Sequence, residues 1–153
     1  LISLSKYLRM VFRTDHPGEL VAFRQEIELV KAYADIEKAR YGDRLQMVFD
    51  IDESCLEYMV IPLTIQPLVE NAIRHGVSKK AEGGTVKLSI QMQEKWVEIQ
   101  VTDDGVGMSE QDRLEIINKK KTSLGLGLAN IDQRLQHMAA QKIVMESEEG
   151  QGT

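Results

Sequence analysis

Two strand-patterned runs, 85–93 and 96–102, follow one another across a turn at Glu94-Lys95, with helix-patterned segments on both sides of the pair. No other feature of the 153 residues restricts the fold as much. Adjacent strands joined by a tight turn exclude a purely parallel design in which every strand is followed by a helix. The expected fold is therefore an α/β (α+β) two-layer sandwich, a mixed β-sheet with helices on one face.

The other elements follow from periodicity. Residues 45–51, Leu-Gln-Met-Val-Phe-Asp-Ile, alternate as a half-buried strand, and a last strand is predicted at 142–147. Apolar residues at helical spacing over 1–12 meet the turn cluster Asp15-His16-Pro17-Gly18. A longer helix is then predicted over 19–41, with Leu20, Phe23, Ile27, Val30 and Ala34 on one stripe and Gly42 as its stop. These two helices read as a partial helical hairpin, and the shift in composition places a domain boundary between residues 43 and 44. Further helices are expected over 62–76, just after Ser109, and over 128–138.

Composition excludes several function classes. A net charge of −5 argues against a nucleic-acid surface, which needs a basic face to neutralise phosphates. Cys55 is the only cysteine, so neither an internal disulfide nor a Cys/His metal cluster is expected, and a reducing, cytoplasmic setting fits. The most apolar stretch, 58–69, is interrupted by Pro62 and Pro67 and falls short of the roughly 20 residues that a membrane span requires. The chain opens inside a helical pattern without an initiator methionine and stops after Gly152-Thr153, which reads as a piece of something longer.

Three ordered motifs carry chemistry. In the predicted helix 62–76, Ile65, Leu68, Val69, Ala72 and Ile73 form the packing face, which directs Glu70, Asn71, Arg74 and His75 towards a cleft. The Asn71 amide oxygen suits magnesium, a hard cation that prefers oxygen ligands, and Glu70 can accept a proton. Next, Asp103-Asp104-Gly105-Val106-Gly107-Met108 closes a strand. Its glycines let backbone approach a flat ligand, and the Asp103 carboxylate can accept a hydrogen bond from an exocyclic amine such as that of adenine. Last, Gly125-Leu126-Gly127-Leu128 precedes a predicted helix whose N-terminal N–H groups can face phosphates. It lacks the Gly-Lys-Ser/Thr of a Walker loop. Alone, Asp-Gly is a common turn, Gly-Leu-Gly-Leu is more often a close helix-to-sheet contact, Lys119-Lys120-Lys121 reads as solvated, and Met108 and Trp96 read as packing residues. Taken in order, the three describe an ATP site.

That order, Glu70-Asn71, then Asp103-x-Gly105-x-Gly107, then Gly125-x-Gly127, resembles the ATP-binding superfamily of DNA gyrase B, MutL and sensor histidine kinases, with its Bergerat-type fold. Residues 61–76, Ile-Pro-Leu-Thr-Ile-Gln-Pro-Leu-Val-Glu-Asn-Ala-Ile-Arg-His-Gly, are similar to the N box of LytS/YesM-type sensor histidine kinases. So are Gly125-Leu126-Gly127-Leu128-Ala129-Asn130-Ile131 with Arg134-Leu135, the stretch 26–45, and Gly150-x-Gly152-Thr153. The resemblance covers nearly the whole chain.

It implies that Asn71 coordinates Mg2+, that Asp103 binds adenine, that the glycines shape a phosphate lid, and that Glu70 assists proton transfer. Arg74, His75, Gly105, Gly107, Met108, Gly125, Leu126, Gly127 and Leu128 would line the nucleotide. It further implies that residues 1–43 are the end of a dimerisation and phosphoacceptor region, that 44–153 form the ATP-binding domain, and that the full-length protein is a homodimer. The phosphoryl group would pass to a response-regulator receiver domain, and a membrane would be reached only through a region N-terminal to this one. Family members carry the phosphoacceptor histidine in a Pro-His-Phe motif. Neither His16 nor His137 resembles it, so autophosphorylation by this piece alone is not expected. Ser123 stands where many relatives have another glycine. An anti-sigma-type protein serine kinase and a non-catalytic nucleotide-binding module remain open as other classes.

Overall fold

The computed structural model describes residues 20–111, 114 and 144–153. The helices expected over 1–12 and 128–138, the lysine run 119–121, and the motif Gly125, Leu126, Gly127, Leu128 lie outside them. In chain order the elements are β1 (Val21–Ala22), α1 (Phe23–Tyr41), a 3₁₀ turn (Gly42–Arg44), β2 (Leu45–Ile51), β3 (Met59–Val60), α2 (Gln66–Asn71), β4 (Gly84–Met92) and β5 (Val97–Asp103).

Helix α1 starts at Phe23 rather than at 19 because Val21 and Ala22 are extended and pair antiparallel with Val60 and Met59. The Ala22 N–H donates to Gln25 Oε1 at 3.1 Å, which answers one of the donors that a helix start leaves open. At the other end, Gly42 takes φ +59° and its N–H donates to the Lys38 carbonyl, while Lys38 and Arg40 in the last turn complement the helix dipole.

The main sheet has the order β2-β4-β5, with β2 parallel to β4 and β4 antiparallel to β5. The mixed sheet expected from the hairpin is thus present. Its register sets rows Ile51-Ile90-Ile99, Phe49-Leu88-Val101 and Met47-Val86-Asp103 on the covered face. Val86, Leu88 and Ile90 are fully buried there, and each such side chain contributes roughly 1.5–3 kcal/mol by leaving water. The opposite face presents Val48, Lys87, Ser89 and Gln100, and Lys87 Nζ meets Asp50 Oδ2 at 2.8 Å across it. That alternation is why β2 and β5 read as half-buried strands.

One apolar core fills the space between sheet and helices, uniting Phe23, Ile27, Val30 and Tyr33 of α1 with Leu45, Ile65, Val69, Ile73, Val86, Leu88 and Ile90. It crosses the boundary drawn between 43 and 44. Helix α1 is therefore a packed layer on the sheet.

Two expectations change in detail. The helix predicted over 62–76 is α-helical only over Gln66–Asn71, continues as a π-turn (Ala72–Gly76) and ends in a 3₁₀ turn (Val77–Lys79). The residues before it form a loop in which Leu63 takes φ +58°. The strand expected over 142–147 forms no ladder in its described part, 144–147. Gly150 and Gly152, at φ +81° and +98°, instead turn the chain back so that Glu148 bridges Gly152. Thr153 then lies beside Asp103, each N–H donating to the other's carbonyl at 2.8 and 3.3 Å.

Candidate nucleotide-binding site

Asp103 ends β5 on the core side of the sheet, with 9% of its surface exposed. A carboxylate there loses hydration, and this burial pushes its pKa up. The Gly105 N–H, donating to Asp103 Oδ1 at 2.9 Å, works against the shift, while the Asp104 carboxylate adds to it. Asp103 is thus a buried acceptor held by its own turn.

Glycines at two positions make the geometry possible. A methyl group on Gly76 would overlap the Asp103 carboxylate, and one on Gly105 would overlap the Gly76 backbone. The π-turn that ends at Gly76 therefore rests directly on the strand-end turn, and the Val106 N–H reaches the Gly76 carbonyl at 3.4 Å. Gly107, at φ +64°, lies under the Glu148 carbonyl, where a Cβ would also collide.

Several contacts lock this turn from outside. The Thr85 N–H donates to Asp104 Oδ1 at 2.6 Å, and Lys80 Nζ donates to the Asp104 carbonyl at 3.0 Å. The Gly150 N–H donates to the Val106 carbonyl at 2.7 Å. Ser147 Oγ accepts from the Met108 N–H and donates to the Gly152 carbonyl, both at 2.9 Å. Segment 147–153 thus clasps 103–108.

On α2 and the π-turn, Ile65, Val69, Ala72 and Ile73 are buried as the spacing predicts. Asn71 lies beside that apolar stripe, between Val69 and Ala72, and its Nδ2 is buried without a hydrogen-bond partner. Buried polar atoms are normally satisfied, so an orphaned amide is what a site awaiting a ligand leaves behind. Amide oxygen and nitrogen are assigned from their neighbours, and turning this one over would present the oxygen that a hard cation prefers. The residues present therefore fit both a nucleotide and a magnesium ion. No group of three His, Cys, Asp or Glu residues among those described forms a protein-only metal cage.

Glu70 and Arg74 pair with each other, Nη1 to Oε1 at 2.9 Å, and Gln66 Nε2 lies 3.4 Å from Glu70 Oε2. This is the i, i+4 pairing of a helical turn, carried into the start of the π-segment. His75 is half-buried, and burial first, then the Arg74 and Lys79 charges, hold its pKa down. It stands as a neutral imidazole at neutral pH. Sequence reasoning gave no role to Gly76, Lys80, Ser147 or Glu26. Gly76 sat inside a quoted motif, and the other three act on residues remote in sequence, which periodicity does not register.

A buried strand-end carboxylate, a glycine turn beneath it and an asparagine-bearing helix over a one-sided mixed sheet define a class of nucleotide-binding α+β domain. Residues 61–153 match the family described as histidine kinase-, DNA gyrase B- and HSP90-like ATPase, and residues 1–45 match the family described as histidine kinase. This chain belongs to the first of these families. Among curated relatives, it is 39% identical to YwpD of Bacillus subtilis (strain 168), over 97% of this chain and 53% of that protein. It is 33% identical to the sensor protein LytS of Enterococcus faecalis, over 90% of this chain and 24% of that one. The chain thus spans 53% and 24% of the length of these two relatives. The histidine kinase domain of a blue-light activated histidine kinase from Erythrobacter litoralis has the same fold, with a TM-score of 0.65 at 18% identity over 98% of this chain and 70% of that domain.

Proposed function

We propose that this chain binds Mg-ATP as the catalytic part of a two-component sensor histidine kinase. The observation that carries the reading is the Asp103 carboxylate, buried at the end of β5 and held in place by the close approach of Gly76 and by the Gly105 N–H, a fixed acceptor at the edge of the core. In that role Asp103 accepts a hydrogen bond from the adenine amine and discriminates against a base with a carbonyl at that position. Asn71 offers its amide to Mg2+, and Glu70, released from Arg74, takes up a proton from the phosphate acceptor. Gly105 and Gly107, with Met108, shape the near wall. Gly125, Leu126, Gly127 and Leu128 supply the phosphate side, while Arg74 and His75 flank it.

Bound Mg-ATP supplies the phosphoryl group, and what this chain contributes is positioning and charge neutralisation, which dominate catalysis of phosphoryl transfer. The acceptor is a histidine elsewhere in the polypeptide, the working unit is a homodimer, and a response-regulator aspartate receives the phosphoryl group in turn. In this reading residues 1–43 are the end of the dimerisation and phosphoacceptor region and residues 44–153 the ATP-binding domain, with α1 also packing on the sheet. Attachment to a membrane would come through sequence N-terminal to this chain. Among the described residues no helix is long and apolar enough to cross one.

The test is a calorimetric titration with a non-hydrolysable ATP analogue, with and without magnesium and with GTP as competitor. Magnesium-dependent, adenine-selective binding is expected, lost in Asp103→Ala and deprived of its magnesium dependence in Asn71→Ala. Absence of binding by the unaltered chain, or wild-type titrations from both variants, overturns the assignment.

A further inference from the structure

Glu26 is fully buried in the first turn of α1, where a charge is costly unless several donors meet it. Three consecutive backbone N–H groups do so. Leu63 donates to Oε1 at 2.8 Å, and Thr64 and Ile65 donate to Oε2, each at 3.0 Å. These residues form the loop that leads into α2. A helix start is ordinarily capped by a nearby Ser, Thr, Asp or Asn. Here the Ile65 cap position makes no side-chain cap, the Thr64 hydroxyl donates to the Ile61 carbonyl at 2.7 Å, and a proline lies in the first turn of the helix. The anchoring carboxylate comes instead from another helix, 37–39 residues earlier in the chain.

Glu26 also holds the loop in the one conformation a leucine rarely takes, Leu63 at φ +58°. From that fixed start the chain runs through Glu70 and Asn71 to Gly76, whose fit against Asp103 leaves no room for a methyl group. Both ends of the segment are therefore pinned, one by Glu26 and the other by the strand-end turn. The axial position and rotation of Asn71 follow from the two pins.

We infer that Glu26 is a positioning residue of the ATP site, acting through the start of α2 to place the Asn71 amide for magnesium. This rests on the function proposed above. The contact of Asp103 with adenine is anchored on β5 and the glycine turn, so the positioning role should show itself in the magnesium-dependent share of the affinity.

The experiment uses the whole chain and titrates ATP analogue with and without magnesium into wild type, Glu26→Gln and Ile27→Val. The last variant trims the neighbouring core side chain without touching the three donors. Glu26→Gln keeps the size of the side chain but turns half of it into a donor facing N–H groups. It is expected to lower magnesium-supported affinity about tenfold while magnesium-free affinity stays within about twofold, and Ile27→Val should keep the wild-type ratio of the two. Where Glu26→Gln does not fold, Glu26→Asp, which keeps the charge on a shorter stem, is expected to show the same selective loss. Unchanged ratios in the folded variants, or parallel loss of both affinities, overturn the inference. So does failure of both Glu26 variants to fold while Ile27→Val folds, since Glu26 would then be a structural cap only. A wild type that binds no analogue brings down the proposed function itself, a result distinct from wild-type binding that Glu26 does not influence.

Discussion

At position 76 a hydrogen in place of a methyl group lets the end of a helical segment rest on a carboxylate, and the site depends on that contact. Gly76→Ala requires no positive φ but forces the Asp103 side chain aside. Overpacking of this kind typically costs about 1–3 kcal/mol. Urea unfolding should show that loss, and nucleotide affinity should fall at least about tenfold, or ~1.4 kcal/mol. Asp103 gives a second test with a defined sign. Burial raises its pKa in the folded state, so its favourable contribution is complete below the ordinary carboxylate value of 3.8 and is lost as the pH rises through the folded value. Asp103→Asn retains an oxygen for the Gly105 N–H and removes the buried charge. It should therefore be at least as stable as wild type at neutral pH, with the difference closing towards about pH 4, while nucleotide binding disappears. Melting curves across that range decide it, and a variant that is less stable at neutral pH contradicts the argument.

Among the elements, the strands were legible and the helix carrying Asn71 only partly so. Strands β2, β4 and β5 lie within a residue of their predicted ends, because alternating apolar residues report directly which face is covered. The start of α2 was misplaced by four residues, since Pro62 invites a helix start that the loop at 61–65 does not make. What holds that loop open is Glu26, which a periodicity argument reads as one more surface carboxylate. Helix α1 also buries more than one stripe: Leu29 and Ala32 are as enclosed as Ile27 and Val30. Ile27→Ala should thus cost about 2–5 kcal/mol by removing a core side chain. Because α1 and the sheet share that core, fluorescence and circular dichroism should still report one coincident transition. Separate transitions would point to an independent helical unit ending near residue 43.

Over the whole described molecule, one face of the main sheet is packed and the other is wet, and this asymmetry sets the tolerance to substitution. Val48 and Leu88 are both aliphatic strand residues, yet Val48 is 43% exposed and Leu88 is buried completely. Val48→Thr should change stability by no more than about 0.5 kcal/mol. Leu88→Thr, which places a hydroxyl and a void in the core, should cost at least about 2 kcal/mol. Equal effects in thermal denaturation would mean that the outer face is covered by a further layer. The covered face matters for function because the Met47-Val86-Asp103 row belongs to it, so the side chain that would read the base emerges from the edge of the core.

The mixed sheet, the glycine turn after β5 and the asparagine beside the apolar stripe of α2 were all determined by the sequence alone. Each depends on short-range rules: alternation along a strand, freedom of φ at glycine, and spacing on a helical turn. Tertiary structure decided where α2 begins, that the chain widens into a π-turn before Gly76, that Asp103 is buried and poorly solvated, and that α1 joins the same core. Those outcomes depend on partners far apart in the chain, Glu26 with residues 63–65, Gly76 with Asp103, and Ser147 with Met108. No local pattern encodes such pairs, because their free energy exists only once the intervening chain has closed and excluded water from between them.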